Sequence, residues 1–389
     1  MNFTFPLTKI MFGDGMSGQI GSVMLGFRCQ KILCIYDQGV KDAGIVDPII
    51  ESMQMAGLGV VEYGDAKVSV PLSTVTEATK IAKEANVDGI VSIGGGSAMD
   101  LGKAVNVCLT QPYPLDYYVG TLDAGMVFSA LLKPYVCIPT TAGTGSEVSP
   151  VAVVYDEKNG VKKTLPQLEN VPKAALIDPL LHVKMPPGLT ASTGMDALAH
   201  AIEGIGGFSR NPMLSSWGFT VCEMVFEYLP RAIANGADIE AREKMAMAAT
   251  FGIMVGAYGG FHIPHALGHS IEAVTHTPHG VACSFTLPET CEYYADLIPD
   301  ETRKLAALLG VEANNGRPIA DVGRDFKDAL RKFYVSIGVP KAQEVIPNPT
   351  DIDRIIDLTL GEYTYIMASK KPSRQELTQL LTSAYESMS

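Results

Sequence analysis

Over residues 1 to about 185 the chain alternates short apolar runs with segments of helical period, and this alternation constrains its fold more than any other feature. Residues 31–36 (KILCIY), 58–63, 89–93 and 135–138 read as strands, and residues 45–55, 75–86 and 97–107 carry helical spacing. Strand, helix, strand in succession sets the strands parallel in one helix-covered sheet. From Gly188 onward the pattern changes to long segments rich in Ala, Met, Leu and Glu, with a period near 3.6. A chain of 389 residues is long enough for two domains. The expected architecture is an α/β Rossmann-like parallel-sheet domain over residues 1–185 and an all-helical domain over 186–389, divided at Met185-Pro186-Pro187.

A formal net charge of −12 without a basic tract disfavours nucleic acid and anionic membrane as partners and leaves a small molecule. The seven cysteines show no C-x-x-C spacing and read as free buried thiols of a cytoplasmic protein. The start MNFTFPLTKI lacks the features of a signal peptide. Residues 245–261 form the longest apolar run, but Gly252, Gly256, Gly259 and Gly260 interrupt it and it is short for a membrane span, so it reads as a buried core helix.

Three glycine-bearing stretches compete for a cofactor phosphate. Gly13-Asp14-Gly15-Met16-Ser17-Gly18 spells G-x-G-x-x-G, yet the strand before it is short and the chain holds 38 glycines, so the match reads as coincidence. Gly94-Gly95-Gly96-Ser97 directly follows a strand and opens a helix, where free N–H groups and the positive dipole end suit a pyrophosphate. Ser97-Ala98-Met99-Asp100 also has the form of a capping box, which would account for Ser97 and Asp100 but not for three consecutive glycines. Thr140-Thr141-Ala142-Gly143-Thr144-Gly145-Ser146-Glu147 follows the strand at 135–138 and is either a solvated turn or a ligand loop. Two such loops on one sheet suggest a nucleotide along that edge. Asp37, closing its own strand, suits a ribose 2′-OH and repels a 2′-phosphate, favouring NAD over NADP.

Five of the seven histidines fall within residues 262–279, and clustered imidazoles read as a metal site. Pro264 fits the first turn of a helix, which sets His265 and His269 on one face with His262 outside. Pro278 disfavours helix at Thr277, so His279 is expected to arrive from a loop. His265-Ala266-Leu267-Gly268-His269 lacks the glutamate of H-E-x-x-H, which argues against a zincin-type protease. On a helix predicted over 190–204, Asp196 and His200 share one face, as two ligands of one ion must, with Glu203 behind them; a surface hydrogen-bonded pair is the alternative.

These residues resemble the iron-containing (group III) alcohol dehydrogenases, of dehydroquinate synthase-like fold, over nearly the whole length. The resemblance rests on Gly94-Gly95-Gly96-Ser97-x-x-Asp100-x-x-Lys103, on the stretch from Pro139 to Glu147, on Asp196-x-x-x-His200, and on His265-x-x-x-His269 with His279-Gly280. It implies an active site in the cleft between the domains. Asp196, His200, His265 and His279 would ligate one divalent metal, Fe(II) in first place with Zn(II) as the alternative, and His269 would be a catalytic histidine outside the ligand set. Cofactor contacts would come from Asp37, Gly94, Gly95, Gly96, Ser97, Asp100, Thr140, Thr141, Thr144, Ser146 and Lys162. The implied activity is NAD(H)-linked oxidation of a small alcohol, diol or hydroxy acid, or the reverse reduction, in a homo-oligomer of two or more subunits. His262 and His276 lie outside the family pattern, and Ser69-Val70-Pro71-Leu72-Ser73 departs from its usual Asn-Pro loop.

Two other readings share these residues. A dehydroquinate synthase-like lyase needs a basic pocket, for which only Arg210 lies near the ligands in sequence. A non-redox metal- and nucleotide-binding protein would bind both without turnover.

Overall fold

The computed structural model describes residues 8–119, 128, 130–209 and 211–388; Arg210 and the first seven residues lie outside them. The chain divides into two compact units, Thr4–Met185 and Pro186–Ser389.

The first unit runs β1 (Lys9–Phe12), α1 (Ile20–Gly26), β2 (Lys31–Ile35), α2 (Gln38–Asp42), α3 (Val46–Met55), β3 (Gly59–Tyr63), α4 (Leu72–Ala85), β4 (Gly89–Gly94), α5 (Gly96–Thr110), β5 (Tyr135–Pro139), β6 (Val151–Asp156), β7 (Val161–Pro166) and β8 (Ala174–Ile177). Six of these strands form one parallel sheet in the order β1-β8-β5-β4-β2-β3, as the alternation requires. The strands read as continuous apolar runs because both faces are buried. Along β2, Leu33 and Ile35 enter the core beneath α4 and α5, while Ile32 and Cys34 enter the one beneath α1 and α3. β4 and β5 are neighbours in register, with Gly94 opposite Pro139, so their two loops leave the sheet side by side.

The antiparallel hairpin β6–β7 and the four-residue β8 add to the strands that the apolar runs predict. The hairpin had a signal in Asn159-Gly160 between two strand-like runs; β8 is too short to show a period. Helix α4 begins at Leu72 rather than at 75, because Pro71 is extended and starts it.

The second unit is helical: α6 (Pro187–Gly206), α7 (Pro212–Ala234), α8 (Ile239–Gly259), α9 (Ile263–Thr275), α10 (His279–Phe285), α11 (Leu287–Tyr294), α12 (Pro299–Leu308), α13 (Ile319–Ser336), α14 (Ala342–Val345), α15 (Ile352–Leu360), α16 (Tyr363–Met367) and α17 (Arg374–Ser387). Helix α9 carries two stripes. Ile263, Leu267 and Ile271, four apart, join Ile355, Ile356, Leu377 and Leu381 in the core, which leaves His265 and His269 on another face.

Three of the glycines that interrupt the long apolar run, Gly252, Gly256 and Gly259, line the contact of α8 with α6, while Gly260 follows α8 and faces Phe208. A Cβ at Gly252 would stand 3.0 Å from the Ala197 carbonyl oxygen, and one at Gly259 would stand 2.4 Å from that of Gly204. The two backbones therefore approach without side chains between them. Among the described residues no single helix is long and apolar enough to cross a membrane.

Candidate metal centre and cofactor loops

Helix α6 sets Asp196, His200 and Glu203 on one buried face, each at most 3 % exposed. His262 stands at the N-cap of α9, outside it as the Pro264 argument requires, with His265 and His269 one turn apart within the helix. His279 differs from expectation: it is the first residue of α10 rather than part of a loop. Pro278 does end the preceding path, but its extended backbone also serves as the N-cap from which a new helix starts. Gly280 then lets α10 touch α6, since a Cβ there would fall 1.9 Å from the Ser192 carbonyl oxygen and 3.0 Å from Asp196 Cβ.

Three imidazoles surround one carboxylate oxygen. The Nε2 atoms of His200, His265 and His279 each lie 3.7 Å from Asp196 Oδ1. Bonds of roughly 2.0–2.3 Å in a tetrahedral arrangement give ligand-to-ligand edges of roughly 3.3–3.7 Å. The buried Asp196 Oδ1 and His265 Nε2 have no hydrogen-bond partner, and buried polar atoms are costly in that state, so the donors fit a divalent ion between them.

Carboxylates fix two of the rings from behind. Glu203 Oε1 is 2.5 Å from His265 Nδ1 while its Oε2 accepts the His262 backbone N–H at 2.7 Å. Glu272 Oε2 is 3.0 Å from His279 Nδ1. With the protons held at Nδ1, the Nε2 lone pairs turn toward Asp196. Burial lowers the pKa of His200 to about 4, against the pull of Asp196, so that ring is neutral and able to donate its lone pair. Burial raises the Asp196 carboxyl, but His200, His279 and His265 outweigh it and hold it below the usual carboxylate range. Cys283 is buried beside this set. Burial raises its thiol too, but His265 and His279 bring the net shift downward, whereas burial pushes the other six cysteines up.

His269 is held separately. Its ring stacks 5.4 Å from that of His279, and its Nδ1 lies 2.7 Å from Glu362 Oε1. The other oxygen of Glu362 accepts from the Thr364 backbone N–H and hydroxyl, both at 2.5 Å. Burial raises the Glu362 carboxyl, but His269 and Thr364 more than offset this and hold it ionised. The remaining two histidines of the 262–279 cluster stand apart in role. His262 packs against Tyr294 and lines a cavity of about 30 Å³ behind Glu203, room for one or two waters. His276 is exposed, in left-handed conformation at the end of α9.

In the first unit the two glycine-bearing loops close on each other. A Cβ at Gly95 would stand 3.2 Å from Thr141 Oγ1, and one at Gly96 would stand 2.7 Å from Thr144 Cγ2. Thr140 is buried and its N–H donates to the Gly94 carbonyl. Ser97 does not cap α5; Gly95 is the N-cap, with no side-chain cap, and Ser97 lies within the first turn. Asp100 is engaged elsewhere, accepting from Ser146 Oγ at 2.6 Å and the Val153 N–H at 2.8 Å. Ser146 also accepts from the fully buried Lys103 at 2.7 Å, so this group braces α5, the threonine loop and β6. Asp37 caps α2 through Oδ1, 3.1 Å from the Val40 N–H, and its Oδ2 lies 3.5 Å from the Cβ position of Gly94. Lys162 is half-buried on β7. The G-x-G-x-x-G at 13–18 is closed instead by Asp178, which accepts from the N–H groups of Gly15 and Ser17 where a phosphate would sit.

The chain matches the family model for iron-containing alcohol dehydrogenase over residues 7–179 and that for the family's C-terminal part over residues 190–385. The chain belongs to the iron-containing alcohol dehydrogenase family. It is similar to the NAD-dependent methanol dehydrogenase of Bacillus methanolicus, 32% identical over 339 residues that cover 87% of each protein. The choline dehydrogenase of Bacillus subtilis is 32% identical over 355 residues, covering 91% of this chain and 87% of that protein. Among solved structures, a 1,3-propanediol oxidoreductase superposes with a TM-score of 0.93 at 27% identity, covering 99% of this chain and 100% of the other. This iron-containing alcohol dehydrogenase family member is thus an alcohol oxidoreductase of the metal-requiring type.

Proposed function

We propose that the chain is a cytoplasmic enzyme, working as a homo-oligomer of two or more subunits, that interconverts a small alcohol, diol or hydroxy acid with its aldehyde or ketone. The observation that carries this reading is the ring of three Nε2 atoms at an equal 3.7 Å from Asp196 Oδ1. Asp196, His200, His265 and His279 hold one divalent ion, Fe(II) in first place and Zn(II) as the alternative, because imidazole and carboxylate accept either according to supply. When bound, the ion polarises the substrate oxygen and the nicotinamide exchanges hydride with the adjacent carbon. Glu203 and Glu272 keep two rings in the ligating tautomer. Glu362 holds a proton on His269 Nδ1, so His269 Nε2 is the atom that takes the hydroxyl proton during oxidation and returns it during reduction.

The dinucleotide belongs to the first unit, residues 1–185, and the metal and substrate to residues 186–389. Gly94, Gly95, Gly96 and Ser97 admit the pyrophosphate to the uncapped start of α5, Thr140, Thr141 and Thr144 line the nucleotide, and Lys162 serves the nicotinamide ribose. Asp100 and Ser146 act by bracing these loops. Asp37 favours NAD over NADP. The similar proteins are named for methanol, choline and 1,3-propanediol, which supports an alcohol as substrate class and leaves the particular alcohol to a panel. Metal-stripped protein, reloaded anaerobically with Fe(II) or Zn(II) and assayed for NADH against that panel, is expected to regain turnover with at least one alcohol. Stoichiometric metal without turnover on any alcohol or aldehyde would overturn the reading in favour of a binding protein.

A further inference from the structure

The break between α8 and α9 aims one aromatic ring at the metal centre. Gly260 ends α8 with a φ of +116°, which side-chain-bearing residues rarely adopt, and α9 sets off at 107° to α8. Phe261 follows directly. Its ring folds back onto Gly256, where a Cβ would stand 2.8 Å from Phe261 Cε1 and 3.3 Å from Cζ, so the glycine makes the place that the ring occupies. Ile263, two residues on, enters the core with Leu267 and Ile271, whereas Phe261 shares a spacing of four with His265 and His269. The ring centre lies 4.6 Å from that of His265 and 5.5 Å from that of His200, two imidazoles that themselves stack 4.7 Å apart.

Two accounts of this ring compete. As a prop it would only orient the imidazoles; as a wall it would also bound the space beside the ion. His265 is already oriented by Glu203 through its Nδ1, so a prop adds little there. Phe261 also keeps part of its surface open, whereas residues 262–272 are all buried. Any ion bonded to His265 Nε2 at roughly 2.0–2.1 Å lies within about 8 Å of the ring centre, so the ring is within reach of the carbon chain of an alcohol held there. A phenyl ring neither ligates nor exchanges protons, and it acts on such a chain through size and apolar contact alone.

We infer that Phe261 is a specificity-determining residue, its ring forming the apolar wall that limits how bulky an alcohol the centre accepts. The inference rests on the reading of Asp196, His200, His265 and His279 as the metal site of an alcohol oxidoreductase. A slender chain lies against the ring, and a branch close to the carbinol carbon overlaps it. One methylene in a pocket of this kind changes kcat/KM by about 10–200-fold, so the size of one side chain suffices to choose between unbranched and branched alcohols.

Phe261→Ala and Phe261→Leu in the full-length, metal-loaded enzyme test this with two readouts. The first is kcat/KM for neopentyl alcohol relative to the smallest alcohol that the enzyme oxidises; the ratio is expected to rise by at least about tenfold in Phe261→Ala and by less in Phe261→Leu. The second needs no turnover. With NADH bound there is no hydride acceptor, and the dissociation constants of the same alcohols, read from NADH fluorescence, are expected to shift in favour of neopentyl alcohol while bound metal and circular dichroism stay unchanged. A common factor across all alcohols, with both ratios unmoved, overturns the wall and makes the ring a prop. Loss of metal from Phe261→Leu overturns it in the same way. No turnover of any alcohol or aldehyde by the unaltered, metal-loaded enzyme overturns the alcohol oxidoreductase reading itself and the wall with it.

Discussion

Glu362 illustrates what one residue contributes at a distance of 93 positions from its partner. Glu362→Gln keeps the size and the contact to Thr364 but removes the counter-charge of His269. We expect kcat to fall by about 10–100-fold, with the pH–rate profile displaced toward acid while bound metal is unchanged; metal analysis beside the profile separates this from loss of the centre. The same carboxylate predicts acid behaviour. Its pKa is held below that of the unfolded chain, so it stabilises the fold above the unfolded value of about 4.3 and the contribution is lost as pH falls through its folded pKa. Urea unfolding at pH 7 and pH 4 is expected to show a smaller pH difference in the variant. Asp37 has two duties, and Asp37→Asn separates them: asparagine still caps α2, while discrimination against NADP relaxes by about tenfold, ~1.4 kcal/mol, in kcat/KM. Unchanged discrimination would remove Asp37 from cofactor selection.

At the level of elements, the start of α10 is the tightest joint of the metal centre. Gly280→Ala puts a methyl group against the Ser192 carbonyl, and the overpacking is expected to cost about 1–3 kcal/mol in calorimetry. It also pushes His279 from Asp196, so metal affinity falls with stability; loss of stability alone would show that the joint bears no ligand load. This joint also marks what the sequence could reveal. Strands β2 and β4, buried on both faces, announced themselves as apolar runs, and helix α6 disclosed Asp196, His200 and Glu203 through a spacing of four and three. His279 is legible in the sequence but its helix is not, since Pro278 signals a break and gives no indication that a helix resumes at once. Glu272 and Glu362 are missed for different reasons. Glu272 lies at a helical spacing from a known histidine, three after His269, and that spacing is the available signal; Glu362 meets His269 only through tertiary packing, for which no local pattern exists.

For the whole molecule, the division of labour between residues 37–162 and 196–362 makes a prediction about ligand-dependent protection. Hydrogen exchange followed by mass spectrometry is expected to show metal slowing exchange most in α6, α9 and α10, and NAD slowing it most around residues 94–97 and 140–146. Metal protection concentrated in the first unit would contradict the assigned ligands. The two chemical tasks were legible as separate clusters in the sequence because each rests on contiguous motifs, one of glycines and hydroxyls and one of histidines.

The glycine contact between α6 and α8 has a further bearing on ion size. At Gly204 and Gly259 the helix that carries Asp196 and His200 meets α8 backbone to backbone. Helix α10 is pinned to α6 at Gly280 and to α9 at Gly268 by equally close contacts, so the donors stand in a frame with little give. The centre is built as a fixed gauge, which favours ions of one radius over a range of them.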